Sequence, residues 1–246
     1  MTKIVFYLLL IFGSMATIGV HSQAHDSSRV RKNTVRLNLT GPMIFGSRYL
    51  VFGYERIISN KQSFSINAGR AALPEYNSQP SDSVWLGKES TNTGINISAD
   101  YRFYLQKQNK FPAPKGVYVG PFYSYTGINS NTTWNTSQSG IIEADTKFKI
   151  HAIGVELGYQ FVFWEKLAID LILVGPGIGF YDLTVGFNSN LTDDQKRAMY
   201  EALENRFGDR IPGLDYIFSQ TEFSRTGNVS LTSIGFRYIV HIGYRF

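Results

Sequence analysis

Several charged residues recur at positions where alternate neighbours are apolar: Arg36, Glu55, Asp100, Arg102, Glu156, Asp170, Arg237 and Arg245. Residues two apart on a strand share a face, so each belongs to the polar row of an alternating run. If those rows line a narrow interior, opposite charges must pair there, because a buried charge without a partner costs several kcal/mol. The expected chemistry is therefore a network of ion pairs. A second cluster, Lys147, Lys149 and His151, joins two cations to an imidazole and suits anionic phosphate groups. His151 is also the one histidine placed for acyl transfer at a membrane edge, but no motif fixes a serine beside it. His25 lies in a polar leader, and His241 has the parity of Arg237 and Arg245. The chain has no cysteine, which removes disulfides, thiolate zinc sites and thiol nucleophiles. Gly175-Pro176-Gly177-Ile178-Gly179 lies inside an apolar run with no helix after it, so it is not a phosphate loop. The expectation is no catalytic residue, no cofactor and no metal.

The elements that position these residues are read from period-two alternation. Val35, Leu37 and Leu39 form the first apolar row, and a reversal around Gly46-Ser47 follows. The second row is Leu50, Phe52 and Tyr54. The third is Phe64, Ile66 and Ala68. Ile95 to Leu105 alternate with Asn96, Ser98, Asp100, Arg102 and Tyr104 in a fourth strand. A fifth carries Val117, Val119, Tyr123 and Tyr125, with Pro121 as an irregularity. The sixth runs from Ile153 to Phe163. The seventh, from Leu167, loses alternation where Ile172 and Val174 make both faces apolar. The eighth has Ile234, Phe236, Tyr238, Val240, Ile242, Tyr244 and Phe246 on one face. Polar stretches near 71–92, 127–145 and 183–227 read as long loops. Within the third, Thr192-Asp193-Asp194-Gln195 is a capping box. Met199, Leu203 and Phe207 then fall on one face of a helix that stops at Gly208. That face is expected to pack on the rim or to contact a partner.

The N-terminus carries Lys3, an apolar run from Ile4 to Phe12, and the small-residue pattern Ser22-Gln23-Ala24. Residues 1–24 therefore read as a cleaved secretory signal peptide, 25–33 as a flexible periplasmic N-terminus and 34–246 as one barrel domain. Aromatic residues make up 15% and charged residues 17% of the 246, against ~25% charged in soluble domains. A net charge of +5 without any long basic block excludes a nucleic-acid arm. Short turns at one end, long loops at the other and an even strand count give the layout of an outer-membrane barrel. The fold class is all-β: an eight-stranded antiparallel transmembrane β-barrel with one short helix in a long extracellular loop. A soluble lipocalin-like barrel in the periplasm shares the period with its apolar face turned inward, and is the alternative. Aromatics near strand ends and both signs of charge on the other face favour the membrane.

Two stretches carry a resemblance. Phe236, Tyr238, Val240, Ile242, Tyr244 and Phe246 alternate to the chain end and resemble the signal read by the bacterial barrel-assembly machinery. Asn38-Leu39-Thr40-Gly41-Pro42, Tyr54-Glu55-Arg56 and Ser63-Phe64-Ser65-Ile66 are similar to a family of small outer-membrane barrels of Bacteroidota that carries no assigned activity. The resemblance, like that to barrels of the outer-membrane protein A, X and W types, implies a Gram-negative outer-membrane location. It also implies the assembly machinery as a partner during biogenesis, and no enzyme. A structural or surface role follows, with outer-membrane lipid and lipopolysaccharide touching Lys147, Lys149 and His151. The alternative role is a barrel subunit of a larger envelope secretion or assembly complex, contacted through Met199, Leu203 and Phe207.

Overall fold

The computed structural model describes residues 31–72, 84–136, 140–187 and 226–246. Among these, eight strands close into one antiparallel barrel in sequence order. They are β1 (Asn33–Asn38), β2 (Leu50–Ser59), β3 (Gln62–Arg70), β4 (Val84–Tyr104), β5 (Gly116–Thr136), β6 (Gly140–Phe163), β7 (Leu167–Phe187) and β8 (Thr226–Arg245). A short helix, α1 (Thr40–Phe45), joins β1 to β2. The seam pairs β1 with β8, from Thr34 opposite Arg245 to Asn38 opposite His241. The proposed signal peptide and the helix bearing Met199, Leu203 and Phe207 lie outside the described residues.

The two ends differ. At the turn end lie the β2–β3, β4–β5 and β6–β7 connections and the β1–β8 ends. At the helix end lies α1. Three expectations change there. The reversal near Gly46-Ser47 is present, with the Tyr49 amide donating to the Gly46 carbonyl at 3.0 Å, but α1 precedes it, with Pro42 in its first turn and Gly46 at φ +88 after its end. Asn38 Oδ1 accepts a hydrogen bond from the Gly41 amide at 2.9 Å, which satisfies a donor at the start of that turn. The polar stretch 127–145 is mostly ladder, because β5 and β6 pair without a break from Gly116–Gln160 to Thr136–Gly140. Ladder hydrogen bonds do not need apolar side chains, so polar sequence on both faces hides a strand that continues beyond the apolar zone. For the same reason β4 begins at Val84, within the stretch read as loop.

The apparent loss of alternation in β7 is a bulge. The register shifts between Ile172 and Gly175 against β8, and between Leu157 and Gly158 of β6. An inserted residue reverses which parity faces outward. Leu171 and Leu173 point out below the bulge, whereas Pro176, Ile178 and Phe180 do so above it.

Side-chain orientation follows the pleat. Ile234, Phe236 and Tyr238 of β8 are 73%, 59% and 60% exposed, while Arg102 and Glu55 are 0% exposed. On β6 the outward residues from Ile153 to Phe163 are uninterruptedly apolar, and His151, Lys149 and Lys147 follow towards the helix end. At ~3.3 Å per residue and a ~40° tilt, that run is about 25 Å tall, the height of a hydrocarbon-facing band. The barrel therefore wears its apolar face outside and encloses its charges.

Candidate functional site

Inside the barrel the inward parity of six strands brings charged side chains to one level. Arg102 on β4 reaches across the lumen. Its Nε donates to Asp100 Oδ1 at 2.6 Å and its Nη2 to Asp170 Oδ2 at 2.9 Å. Glu55 on β2 and Glu156 on β6 lie 3.5 and 3.8 Å from the same guanidinium. Arg36 on β1 approaches the same acids from another side, 3.1 Å from Asp170 and 3.4 Å from Asp100. Arg237 on β8 lies 3.3 Å from Glu156 and over the Phe122 ring. Apart from Arg102–Asp100 within β4, the pairs join strands that are not neighbours, so those bonds cross the interior instead of running along its wall.

Neutral groups complete the shell. Tyr118 donates to Asp170 Oδ1 at 2.7 Å, and its ring lies under the Arg102 guanidinium, 4.4 Å from ring centre to Cζ. Gln160 Nε2 donates to Glu55 at 2.9 Å, and Ser63 donates to the other oxygen at 2.7 Å. Tyr104 donates to Gln160 Oε1 at 2.7 Å. Arg36 Nε donates to Asn67, and Ser65 donates to Asp100. His241 Nδ1 lies 3.2 Å from Asp170. Such neutral donors and acceptors hold lone pairs and N–H groups that ion pairing alone leaves unsatisfied in a dry interior.

The sequence placed Arg36, Glu55, Asp100, Arg102, Glu156, Asp170 and Arg237 on the inner row, and the structure brings them together. Arg245 stands apart. It forms no ion pair with any of the four lumen carboxylates, Glu55, Asp100, Glu156 and Asp170. Its guanidinium instead donates to the backbone carbonyls of Arg31 at 2.8 Å and Glu165 at 3.4 Å. Parity aims Arg245 inward, but it lies at the last ladder position of the turn end, so it caps the rim. Sequence reasoning left out Tyr104, Tyr118, Gln160 and His241 as members of the cluster. All four are buried and share the inward parity of their strands, which is the signal that identifies them.

At the helix end Tyr49 fills the space beside α1. A Cβ on Gly41 would overlap the Tyr49 ring, so glycine permits the close approach. Desolvation there pushes the Tyr49 phenol up to about 12. On the outer surface His151 sits between Tyr125 of β5 and Phe180 of β7. Its Nδ1 lies 2.7 Å from the Tyr123 hydroxyl, and its ring packs on Tyr125 at 4.8 Å. Lys149 and Lys147 continue the outward row and are exposed. Tyr238, Val240, Ile242, Tyr244 and Phe246 also face outward, on the strand that closes the barrel. Among the described residues no three His, Asp or Glu side chains converge as a metal ion requires.

No family model matches the chain, and no curated protein matches it. The Bacteroidota resemblance rests on its sequence motifs alone. A crystal structure of CarO2 from Acinetobacter baumannii is similar at 9% identity and a TM-score of 0.38, covering 88% of this chain and 98% of that one.

Proposed function

We propose that the chain is an integral outer-membrane barrel with a structural or surface-interaction role and a lumen closed by its own side chains. The observation that carries this reading is the inverted polarity of the sheet. An apolar outer row and an ionic interior have no stable arrangement in water, since the exposed row alone presents a belt of aliphatic and aromatic side chains. In hydrocarbon the same arrangement is favourable, because a closed ladder leaves no backbone amide unpaired. A lipocalin-like barrel requires the opposite orientation.

The turn end faces the periplasm on this reading and the helix end faces outward. Export follows from the N-terminal segment 1–24. The outward aromatics of β8, ending in Tyr244 and Phe246, serve as the assembly signal, and their strand forms the closing seam with β1. Lys147, Lys149 and His151 stand just outside the apolar band, where lipopolysaccharide phosphates lie. The closed lumen follows from Arg102 and its partners, which span the interior with no exposed surface on Arg102, Glu55 or Tyr118. Outer-membrane fractions run unboiled and boiled on a denaturing gel test the fold in lipid: the unboiled band migrates faster. Planar-bilayer recording tests the lumen, with no steady conductance expected. A protein recovered in the soluble periplasm without a mobility shift refutes the reading.

A further inference from the structure

Among the described residues exposed cationic side chains are distributed unequally between the two ends, with Arg48, Arg70, Lys147 and Lys149 at the helix end. At the helix end Lys147 and Lys149 share their surroundings with Asp145, Glu143 and Asp182. At the turn end Glu165 is the one exposed acidic side chain among the described residues, and Arg31 already lies 3.4 Å from it. The remaining exposed cations there are set around the whole ring. Lys32 and Arg56 flank the β1–β2 edge, Lys61 occupies the β2–β3 turn, Lys107 and Lys110 the β4–β5 connection, and Lys166 the β6–β7 turn. All six are exposed.

Aromatic side chains stand among them. Phe111 is 54% exposed with Lys115 Nζ 4.0 Å over its ring, and Trp164 is 82% exposed at the tip of the β6–β7 turn. That turn is notable for its backbone. Trp164 and Glu165 adopt φ 48 and φ 59, and the Lys166 amide donates to the Phe163 carbonyl at 3.1 Å. Two consecutive left-handed residues are the pattern that asparagine and glycine favour. A bulky indole there carries a conformational cost, and among the described residues its one ring contact is with Phe163, at 6.0 Å between centroids.

We propose that the turn end is a cationic and aromatic collar that binds the phosphate headgroups of anionic phospholipids. The inference rests on the membrane reading above and names the lipid met at that end. A leaflet surrounds a barrel on every side, as this collar does, whereas a docked protein or glycan meets one side. The collar also continues directly from the apolar band, placing ammonium and guanidinium groups at headgroup depth and Trp164 at the interface where indoles settle. Attraction to an anionic surface is worth about 1 kcal/mol per basic residue, a factor of about five in lipid preference, and is screened by salt.

The test folds the full chain into phosphatidylcholine vesicles containing a minority of phosphatidylglycerol. Spin-labelled forms of each lipid then report which is immobilised on the protein. Phosphatidylglycerol should be preferred by about fivefold at ~0.01 M salt, falling toward parity at ~1 M, where the screening length drops to ~3 Å. Lys61→Gln, Lys107→Gln, Lys110→Gln and Lys166→Gln together should remove most of the preference, and Lys107→Gln with Lys110→Gln should remove part of it. Lys147→Gln with Lys149→Gln should leave it intact. Each variant is checked for the unboiled mobility shift, and the double turn variant serves if the quadruple one does not fold. Equal immobilisation of the two lipids by a mobility-shifted wild type overturns the collar and leaves the membrane reading standing. Loss of preference in Lys147→Gln with Lys149→Gln assigns the lipid to the wrong end and overturns it too. Absence of any shifted, vesicle-bound species in phosphatidylcholine alone overturns both.

Discussion

Replacing Arg102 by methionine removes the residue on which the interior converges while keeping much of its volume. The side chain has no exposed surface, so no water replaces its hydrogen bonds. Two close carboxylate contacts disappear, to Asp100 at 2.6 Å and Asp170 at 2.9 Å, together with the approach to Glu55 at 3.5 Å. Arg36 keeps its own contacts to Asp100 and Asp170, so neither acid is abandoned entirely. Glu55 is left with Ser63 and Gln160 as neutral donors. Breaking a buried ion pair from one side costs about 3–5 kcal/mol. With a urea dependence of ~2 kcal/mol/M, the unfolding midpoint should fall by about 2 M. The assay is the fraction of mobility-shifted band across a urea series in vesicles. Asp100→Asn in the Arg102→Met background removes one of the acids left in excess and should recover about half of the loss, since deleting both partners is far cheaper than deleting one. An Arg102→Met protein within about 1 kcal/mol of wild type, the scale of an exposed pair, refutes the view that these bonds hold the interior together.

Gly158 faces the Tyr118 ring, and a Cβ there would overlap it, so Gly158→Val should cost about 1–3 kcal/mol through overpacking and lower the same urea midpoint. Ile234→Arg or Phe236→Arg places a charge on the outer row and should destabilise the vesicle-bound barrel by about 2–4 kcal/mol near the midplane, while the conservative Phe236→Leu stays near wild type. Removing the side chain of Phe246 leaves the interior untouched, so its effect should appear as a lower yield in the outer-membrane fraction with an unchanged midpoint for the protein that does assemble.

The parity of apolar residues made the strand count and the identity of the inner row legible before any coordinates. Asp100, Arg102, Glu156 and Asp170 could be assigned to one compartment because a pleated strand gives each side chain two choices. The partners were not legible. Arg102 bonds to Asp170 across the barrel, and distances between strands far apart in sequence depend on shear and tilt, which alternation does not encode. Arg245 shows the converse limit: its parity is inward, but its height on the strand places it at the rim. The β5–β6 extension was missed because hydrophobic patterning reports the solvent on each face. The buried inner row there includes Ser130 and Thr132, as polar as the outer row, so strand and polar loop look alike.

The bulge in β7 joins these two kinds of information. Ile172 and Val174 blur the pattern in sequence, and the structure shows a register shift at that point on both flanking ladders. Without the insertion, the residues above it would keep odd parity outward. Tyr181 and Leu183 would then face out, while Phe180 and Asp182 would turn in. The shift instead puts Pro176, Ile178 and Phe180 outward and buries Tyr181 and Leu183 at 8% and 4% exposure. One inserted residue thus keeps Asp170 inward below the bulge and the apolar row outward above it. Deleting Ile178, which leaves the bulge in place, should turn the residues beyond it to the opposite face, whereas deleting Val174 would only take out the extra residue and leave both halves with their present faces. The ionic half, tied to Arg102, Arg36 and Tyr118, should hold, so the defect should fall on the helix-end half of the strand. Proteolysis confined to that half of β7, with the mobility shift retained, is the expected signature. Protection of the whole strand after deletion of Ile178 would show that residue parity does not set which face meets lipid.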